Sequence, residues 1–526
     1  MSQARVGLEA TQDLAVRVRA APAARCLYSE GMPTREEELF QERVAKLERL
    51  RERGIDPYPA RYNRTHNSTQ AIAAFEVWEA LQNGESPEVS VAGRVTALRN
   101  MGKAAFLDLR DGEGRIQVYV RRDRMSETDF ELLKDTDLGD FLGATGKLFR
   151  TRSGEITVEA SSIVMLTKAL QAPPEKFHGL SDMEQRYRQR YRDLIANDEI
   201  REIFKKRAAI VAAMRRYLDG RGFMEVETPV LQPEAGGAAA TPFVTHHRAL
   251  DQDFYLRISL ELHLKRLLVG GYDRVYEIGR IFRNEGVSWK YNPEFTMLEC
   301  YEAYSDYHAV ARMVEEMVSG IAQQVLGGTT TVFDEHEIDL APPWRRVTMR
   351  DALIEYGGID FQEFSTRETL YAELQRRGFG GELDPGWSWS KLLDEAVSHY
   401  VEPKLIQPTF LLDYPKAISP LAKSKPGEEG IVERFEVFIG GFEIGNAYSE
   451  LNDPLDQRER FETQRKLAAA GIEEVETLDE DFLTALEHGM PPTGGLGIGI
   501  DRLTMILTGQ HSIREVILFP ALRKRE

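Results

Sequence analysis

The sequence has few of the features that indicate a secreted protein, a membrane-spanning protein or a protein that binds nucleic acids indiscriminately. Its 526 residues include only two cysteines, Cys26 and Cys300. Two thiols exclude a disulfide framework and a cysteine zinc site, and their scarcity fits a reducing cytoplasm. No apolar run approaches the roughly 20 residues needed to cross a bilayer. The net charge of −18 argues against indiscriminate binding to nucleic acids. We therefore expect a cytoplasmic protein with no membrane association.

The length favours two or three domains over one. Positions 1–33 match no domain pattern. Acidic residues among their arginines argue against a transit peptide, so we expect a disordered extension or an upstream start before Met32. Thr34-Arg-Glu-Glu37 is a capping-box pattern, which predicts a helix that stops at Gly54. The charged face of this helix is either solvated or in contact with RNA.

Short strands separated by turns follow from about Val89 to Leu166. Five strands, with a helical stretch over Asp129–Leu133 between the third and the fourth, suggest an OB barrel, whose open face binds oligonucleotides. Composition alone does not separate this fold from other small barrels. Segment 91–160 carries 12 Lys or Arg and 12 Asp or Glu, so it is neutral within an acidic chain. Such a module can still bind RNA by stacking and by selected arginine contacts.

The most informative stretch is VYEIGRIFRNEGVSWKYNPEFTMLECY, residues 275–301. It predicts two strands joined by a charged loop. On the second strand Phe295, Met297, Glu299 and Tyr301 share one face, because side chains repeat every two residues. Arg283, at the end of the first strand, suits bidentate binding of an oxyanion. The pattern indicates a pocket that stacks a ring, grips a phosphate or carboxylate, and binds an amine.

FRNEG followed by NPEFTMLE resembles motif 2 of the class II aminoacyl-tRNA synthetases, and is most similar to their lysine-specific members. A helix over Ile203–Leu218 and a strand over Phe223–Glu227 resemble motif 1, which implies a homodimer. GLGIGIDR, before a helix over Leu503–Leu507, resembles motif 3. The resemblance runs over positions 36–520.

This resemblance implies a multidomain α+β fold. Residues 34–172 would form an N-terminal helix and an OB-fold anticodon-binding β-barrel, and 173–192 would form a linker. Residues 193–526 would form the catalytic and dimerisation domain, built on an antiparallel β-sheet flanked by helices. Within the linker, the arginine- and tyrosine-rich run 186–192 either touches RNA or packs between domains.

The resemblance also implies a reaction. Lysine and ATP, with Mg²⁺, would give lysyl-adenylate and pyrophosphate, and the 3′-terminal adenosine of tRNA(Lys) would take the lysyl group. The expected catalytic residues are Arg283 and Arg502. The residues expected to bind ATP are Arg283, Glu285, Lys290, Tyr291, Asn292, Phe295, Glu436 and Arg502. The residues expected to bind lysine are Gly237, Glu261, Arg283, Glu299, Tyr301, Asn446 and Glu450. The expected anticodon-binding residues are Arg94, Arg99, Phe106, Gln117 and Glu155.

Two pairs of carboxylates carry the physical reasons for these expectations. Glu436 and Glu443 become neighbours if the chain turns at the glycines between them, and paired carboxylates beside a triphosphate suit Mg²⁺. Glu299 and Glu450 would offset the desolvation of a buried ε-ammonium, which an apolar pocket cannot do. Glu261 lies where a strand from Arg257 passes into a helix, and it would either bind the α-ammonium or cap that helix.

Some readings stay open. Phe106 is either an exposed stacking residue or part of the barrel core, and Glu155 is either a base-reading residue or a solvated turn residue. Lys290-Tyr291 replaces the Arg-His usual in the family, and Thr241 replaces an arginine. Three other classes compete: an aspartate- or asparagine-specific enzyme, a lysine ligase acting on protein or lipid, and a non-catalytic tRNA-binding or signalling paralogue. Glu299 and Glu450, which suit an ammonium, disfavour the first class. The barrel disfavours the second class, and the intact catalytic arginines disfavour the third.

Overall fold

The computed structural model describes residues 34–82, 84–174, 182–379, 383–469 and 479–524, with the backbone alone for 467–469. The predictions for positions 1–33 lie outside the described residues, as do those for 175–181. The chain divides into two compact units, Met1–Pro173 and Pro174–Glu526. None of the described helices is both long enough and apolar enough to cross a membrane.

The first unit is a closed five-stranded barrel with the strand order β1-β2-β3-β5-β4. Its strands are β1 (Glu88–Asn100), β2 (Ala104–Arg110), β3 (Arg115–Arg121), β4 (Phe141–Arg150) and β5 (Ile156–Thr167). Its helices are α1 (Arg35–Glu52), α2 (Ser68–Leu81) and α3 (Glu127–Asp135). Only β3 and β5 pair in parallel. Helix α3 lies between β3 and β4, so the predicted barrel is confirmed, whereas α2 is a helix that the pattern does not predict.

Helix α1 begins with the predicted capping box. Thr34 Oγ1 accepts the Glu37 N–H at 3.3 Å, and Glu37 Oε2 accepts the Thr34 N–H at 2.7 Å. Its buried face holds Leu47 and Leu50, and also Arg43, whose guanidinium donates to two backbone carbonyls of the same unit. One of the arginines of this helix therefore binds backbone inside the barrel unit and is not part of its solvated face.

The second unit is built on an eight-stranded sheet in the order β14-β15-β16-β17-β18-β11-β10-β6. The six central strands are antiparallel, and the edge strands β14 and β6 pair in parallel. The sheet strands are β6 (Met224–Glu225), β10 (Arg274–Phe282), β11 (Glu294–Ala303), β14 (Arg345–Thr348), β15 (Thr409–Pro415), β16 (Ile431–Ile439), β17 (Phe442–Ser449) and β18 (Thr493–Gly499). The smaller sheets hold β7 (Leu231–Gln232), β8 (Val244–His247), β9 (Gln252–Leu256), β12 (Thr330–Phe333) and β13 (His336–Asp339).

Twelve α-helices accompany these strands in the described part of the second unit. They are α4 (Met183–Arg188), α5 (Arg190–Ala196), α6 (Asp198–Gly220), α7 (Glu261–Val269), α8 (Tyr307–Leu326), α9 (Met349–Gly357), α10 (Arg367–Arg376), α11 (Trp389–Tyr400), α12 (Pro454–Ala469), α13 (Glu480–Glu487), α14 (Ile500–Thr508) and α15 (Ile513–Val516). Helices α6, α8 and α14 contribute to the main apolar core with one face of the sheet. The opposite face is therefore left for the site described below.

Three predicted boundaries in this unit are wrong. The motif 1 strand is only Met224–Glu225, not Phe223–Glu227. The strand expected to begin at Arg257 is not found: β9 ends at Leu256, and the Arg257 side chain is buried, where it donates to the Arg280 carbonyl and to Glu277. The predicted linker is too long at its C-terminal end, since Arg190 is buried on Asp193 and on carbonyls of the C-terminal segment. The run 186–192 thus packs within the second unit.

Candidate active site

A cavity of about 780 Å³ opens on the free face of the large sheet. Every residue expected to contact ATP, lysine or metal lines it. They are Gly237, Glu261, Arg283, Glu285, Lys290, Tyr291, Asn292, Phe295, Glu299, Tyr301, Glu436, Glu443, Asn446, Glu450 and Arg502. The structure therefore brings these side chains together, while their individual roles stay predictions.

The strand register explains how distant segments meet on one face. One row across β11, β18, β17 and β16 pairs Glu299 with Gly497, Gly497 with Asn446, and Asn446 with Glu436. The next row pairs Tyr301 with Gly495, Gly495 with Tyr448, and Tyr448 with Arg434. Residues opposite each other in adjacent strands project from the same side of a sheet. Both rows therefore place polar side chains around a central glycine.

Alternation along β18 separates the core from the cavity. Leu496 and Ile498 are buried in the core, whereas Gly495, Gly497 and Gly499 line the cavity. At Gly495 the space is already taken, since an added Cβ would lie 1.9 Å from Glu450 Oε1 and 2.6 Å from Tyr301 Cε1. This motif 3 glycine therefore makes room for Glu450 and Tyr301, two residues expected to bind lysine.

Glu299 is a buried carboxylate held by three donors. Its Oε1 accepts the Leu260 N–H at 2.9 Å and the Ser259 hydroxyl at 3.1 Å, and its Oε2 accepts the Tyr301 hydroxyl at 3.0 Å. Burial, followed by the nearby charge of Glu261, raises the pKa of Glu299 to about 7. Its charged form is therefore held in place by hydrogen bonds, but it forms no ion pair with a described residue, and a ligand ammonium would supply the cation.

The other two carboxylates at this end share an internal cation. Lys265 Nζ lies 2.5 Å from Glu261 Oε1 and also forms an ion pair with Glu450 Oε2. The Tyr448 hydroxyl donates to Glu261 Oε2 at 2.7 Å. Glu261 is thus paired along its own helix and does not cap it. Glu450 Oε1 is buried and has no hydrogen-bond partner among the described residues.

Arg283 extends from the end of β10 into the cavity. Its Nε donates to the Ile258 carbonyl at 3.4 Å, and its Cζ lies 5.3 Å from the centre of the Phe295 ring. No described carboxylate forms an ion pair with it. Burial lowers the pKa of this guanidinium, with Glu285, Glu443 and Glu299 as the opposing charges. An incoming anion would therefore meet a cation that the chain has not neutralised.

Arg502 lies at the other end of the cavity and is already paired. Its Nη1 donates to the Glu443 carboxylate at 2.9 Å and to the Glu443 carbonyl at 2.7 Å. Its Cζ is 5.5 Å from the ring of Tyr291, the residue that replaces the usual histidine. Lys290 Nζ lies 5.2 Å from the Trp289 ring and 5.4 Å from the Phe442 ring. In this structure the Arg283 guanidinium covers the Phe295 ring, and the Tyr291 ring covers the Arg502 guanidinium.

The carboxylates expected to hold metal flank the Gly440-Gly441 turn between β16 and β17, and both face the cavity. Burial, with Glu443 as a neighbouring negative charge, raises the pKa of Glu436 to about 7, although Arg434 opposes this shift. No three His, Cys, Asp or Glu side chains of the described segments are grouped as metal ligands. Two neighbouring carboxylates offer oxygen ligands of the kind that Mg²⁺ takes, so the chemistry of this pair fits such a cation.

Some of the side chains expected to contact the substrates already form hydrogen bonds within the protein. Asn292 Nδ2 donates to the Glu294 carbonyl at 2.5 Å, and its Oδ1 accepts the Ala521 N–H at 3.2 Å. Asn292 thus holds the loop through both ends of its amide, while it also lines the cavity, and its contact with ATP stays a prediction. Asn446 Oδ1 accepts from Arg434 Nε at 3.1 Å. Glu285, in contrast, is exposed at the rim of the cavity.

Several lining residues are not predicted from the sequence. One wall comes from the start of α11 and the residues before it, and we call it the α11 wall: Trp387, Ser388, Ser390, Lys391 and Asp394. No local pattern marks it. Two further residues had a signal: Tyr448, which lines the cavity, shares the two-residue spacing of Asn446 and Glu450, and Lys265, which lies behind the lining, follows Glu261 by four residues on a helix. Arg434 joins Glu436 and Asn446 by hydrogen bonds.

Comparison with known protein families agrees with this geometry. Residues 182–523 match the family model for class II tRNA synthetases (D, K and N), which is more than half of the chain. Residues 89–166 match the OB-fold nucleic acid binding domain. The chain belongs to the class II tRNA synthetases.

Curated relatives cover nearly the whole of this synthetase. A lysine–tRNA ligase of Dehalococcoides mccartyi is 56% identical over 492 residues, which is 93% of this chain and 98% of the relative. One from Moorella thermoacetica is 53% identical and covers 93% of this chain and 99% of the relative. One from Bacillus subtilis is 52% identical and covers 92% and 97%.

The barrel of the synthetase presents aromatic rings on its outer face. Phe106 is half-buried and stacks on Tyr119 with ring centres 4.5 Å apart, whereas its neighbours Ala105 and Leu107 fill the core. Phe106 is therefore not a core residue. Arg99 is exposed and pairs with Phe106 in the strand register. Arg94 instead donates to the Gly139 carbonyl, and its Cζ lies 4.4 Å from the Phe141 ring.

Gln117 and Glu155 lie side by side on the barrel. Gln117 is buried, and its Nε2 donates to Glu155 Oε2 at 3.2 Å, while its Oε1 accepts the Thr157 hydroxyl. Glu155 also pairs with Arg115 at 2.8 Å. Glu155 is thus not simply a solvated turn residue. The two residues form one hydrogen-bonded group next to the Phe106–Tyr119 stack.

Proposed function

We propose that this chain is a lysine–tRNA ligase, which activates lysine with ATP and transfers it to the 3′-terminal adenosine of its tRNA. The observation that carries this proposal is the group of three buried carboxylates, Glu261, Glu299 and Glu450, at one end of the cavity. The names of the curated relatives support the same conclusion. An aspartate or asparagine substrate would place an anionic or neutral side chain where the chain offers excess negative charge.

The lysine substrate has two ammonium groups to bind. Glu261 and the Gly237 carbonyl take the α-ammonium, and Glu299, Tyr301 and Glu450 take the ε-ammonium. The unpartnered Glu450 Oε1 supports this assignment, because a buried carboxylate oxygen without a donor is costly unless a ligand satisfies it. Asn446 completes the pocket while Arg434 fixes its amide.

Arg283 brings the two reacting anions together. Its guanidinium binds the α-phosphate of ATP and the lysine carboxylate, so the carboxylate oxygen can attack phosphorus and displace pyrophosphate. Phe295 stacks on the adenine once Arg283 turns toward the phosphates. Arg502 and Lys290 hold the outer phosphates. Glu436 and Glu443 would hold Mg²⁺, which neutralises charge on the phosphates when it is bound.

The second step needs no nucleophile from the enzyme. A ribose hydroxyl of the terminal adenosine attacks the carbonyl carbon of lysyl-adenylate, and AMP leaves. Catalysis at this step rests on positioning and on charge stabilisation. The barrel holds the anticodon, with Phe106 stacking on one base and Gln117 and Glu155 reading base edges. A stacked base is worth about 1–3 kcal/mol.

We also propose a homodimer formed through motif 1. Strand β6 is at the edge of the large sheet, with no further strand beside it in the described chain. Met224, Val230 and Leu231 are exposed apolar side chains in and near this edge. Sedimentation velocity tests this point: a mass near twice 59.7 kDa is expected, and a monomer across the concentration range would contradict it.

The ligase function is tested by charging tRNA(Lys) with labelled lysine. Glu450→Gln keeps the shape of the side chain but removes its charge, so we expect the lysine KM to rise by about tenfold or more. The matched control is Glu459→Gln, at an exposed position of α12, with no change expected. Equal lysine KM values for wild type and Glu450→Gln would contradict the assignment.

A further inference from the structure

Lys265 is a fully buried cation that the reaction described above does not use. Its side chain has no exposed surface, and its Nζ contacts Glu261 and Glu450 at once. The rings of Tyr448 and Phe482 enclose it, with their centres 5.6 and 5.9 Å from Nζ. Lys265 does not itself line the cavity, whereas both of its carboxylate partners do. It therefore lies behind the surface that a substrate would meet.

We propose that Lys265 is a positioning residue that fixes the spacing of Glu261 and Glu450 and sets the charge of the amino-acid pocket. This inference rests on the proposed function. Glu261 is assigned to the α-ammonium of the substrate and Glu450, with Glu299, to its ε-ammonium, and the Lys265 ammonium joins Glu261 to Glu450. The distance between the two carboxylates is then set by a rigid bridge instead of by the ligand.

The charge balance gives Lys265 a second effect. Three ionised carboxylates with Lys265 leave two net negative charges, equal to the two ammonium groups of lysine. Without Lys265, three buried carboxylates would repel one another, and at least one would take up a proton. The substrate carboxylate is left to Arg283. The pocket would thus favour an amino acid with two ammonium groups over one with a single ammonium.

The effect on pH dependence follows from the groups that surround this bridge. The titratable and charged groups facing Glu261, Glu450 and Lys265 are Glu299, Tyr301, Arg434 and Tyr448. Among these four groups Arg434 is the positively charged one, and it is already paired with Glu436. Removal of Lys265 would therefore take away the cation that opposes the raised pKa of the buried Glu450 carboxyl, so Glu450 would keep its proton to a higher pH.

The test compares Lys265→Met with the matched control Lys168→Met. Lys168 is equally buried in the barrel unit, between Asp137 and Asp140 at 2.6 and 2.7 Å. Amino-acid-dependent ATP–pyrophosphate exchange, which needs no tRNA, gives the KM for lysine and for ATP between pH 6.5 and 9. For Lys265→Met we expect a lysine KM at least about tenfold higher at pH 7, less so at pH 9, with the ATP KM unchanged. Lys168→Met should leave both values unchanged.

Other outcomes overturn the inference. An unchanged lysine KM, or lysine and ATP KM values that rise together without pH dependence, would give Lys265 a structural role only. If circular dichroism shows that Lys265→Met does not fold, Lys265→Arg replaces it: the charge is kept but the spacing changes, so the lysine KM should rise with the wild-type pH profile. An unchanged lysine KM in that variant would contradict the bridge. If the wild type shows no lysine-dependent exchange at all, the proposed function fails first.

Discussion

Arg283 brings a guanidinium into the cavity without an ion pair to any carboxylate of the described chain. Arg502 and Arg434, in contrast, are neutralised by Glu443 and Glu436. Arg283 is half-buried, and a cation that is partly removed from water without an ion pair is unfavourable, so its presence indicates a site that an anion completes. At the scale of single residues, Arg283 is therefore where the binding of phosphate and carboxylate is most directly tested.

Arg283→Ala should lose adenylate formation by several orders of magnitude, since loss of one preorganised donor to developing negative charge already costs about 10²–10³ in rate. Arg280→Ala is the control: this exposed arginine lies on the same strand and pairs only weakly with Glu294 at 3.6 Å. ATP–pyrophosphate exchange measures both. Exchange near the wild-type rate in Arg283→Ala would refute its assignment.

Glu299 should make lysine binding depend on pH. Its pKa is raised to about 7, so below pH 7 a growing fraction is protonated, and a bound ammonium must displace that proton. At saturating ATP and Mg²⁺ we expect kcat/KM for lysine to fall by up to about tenfold per pH unit below pH 7. Glu299→Gln should bind lysine weakly without this dependence. A flat wild-type profile between pH 5.5 and 8 would be inconsistent with the expected role.

The same shift has the opposite sign for the ligand-free fold. The folded pKa of Glu299 lies above its usual value of 4.5, so its protonated form favours the folded state. That contribution to stability is complete below pH 4.5 and is lost as the pH rises through 7. Lysine binding therefore favours the ionised form of Glu299, whereas ligand-free stability favours its protonated form.

At the scale of elements, strand β18 lies against the amino-acid pocket, the end of the cavity formed by Glu261, Glu299, Tyr301 and Glu450. Gly495→Ala would push Glu450 and Tyr301 out of place, because its Cβ would meet Glu450 Oε1 at 1.9 Å. We expect a higher lysine KM with a smaller change in the ATP KM. Gly320→Ala in α8, where an added Cβ meets nothing within 4 Å, is the control and should be silent. Equal effects of both substitutions on lysine KM would contradict this function of the strand.

Local patterns predict some of these elements well. The two strands of motif 2 follow from alternation, and the β16–β17 hairpin follows from Gly440-Gly441, because both signals lie within a few residues. The end of β9 and the shortness of β6 do not follow, since the length of a strand depends on its pairing with other strands: β6 pairs with β10, and β9 pairs with β7 and β8. The α11 wall is set by tertiary packing alone, so no sequence pattern marks it.

At the scale of the whole molecule, the resemblance predicts both units, and all of the residues that it assigns to ATP, lysine or metal line the cavity. It does not predict the ion pairs inside the cavity. A single sequence shows that Glu261 and Lys265 are four apart, but the third member, Glu450, comes from a strand end nearly two hundred residues later. Such a buried network is decided by folding of the whole unit. The same limit applies to Asn292, which the chain uses to hold its own backbone.

The most direct test is ATP–pyrophosphate exchange by the full chain with lysine, ornithine, arginine, aspartate and asparagine, each supplied alone. The pocket of three carboxylates and one internal ammonium predicts strong exchange with lysine, weaker exchange with the other cationic amino acids, and none with aspartate or asparagine. Exchange with aspartate or asparagine in the absence of a lysine signal would contradict the proposed substrate. No exchange with any of the five would contradict the proposed enzyme itself.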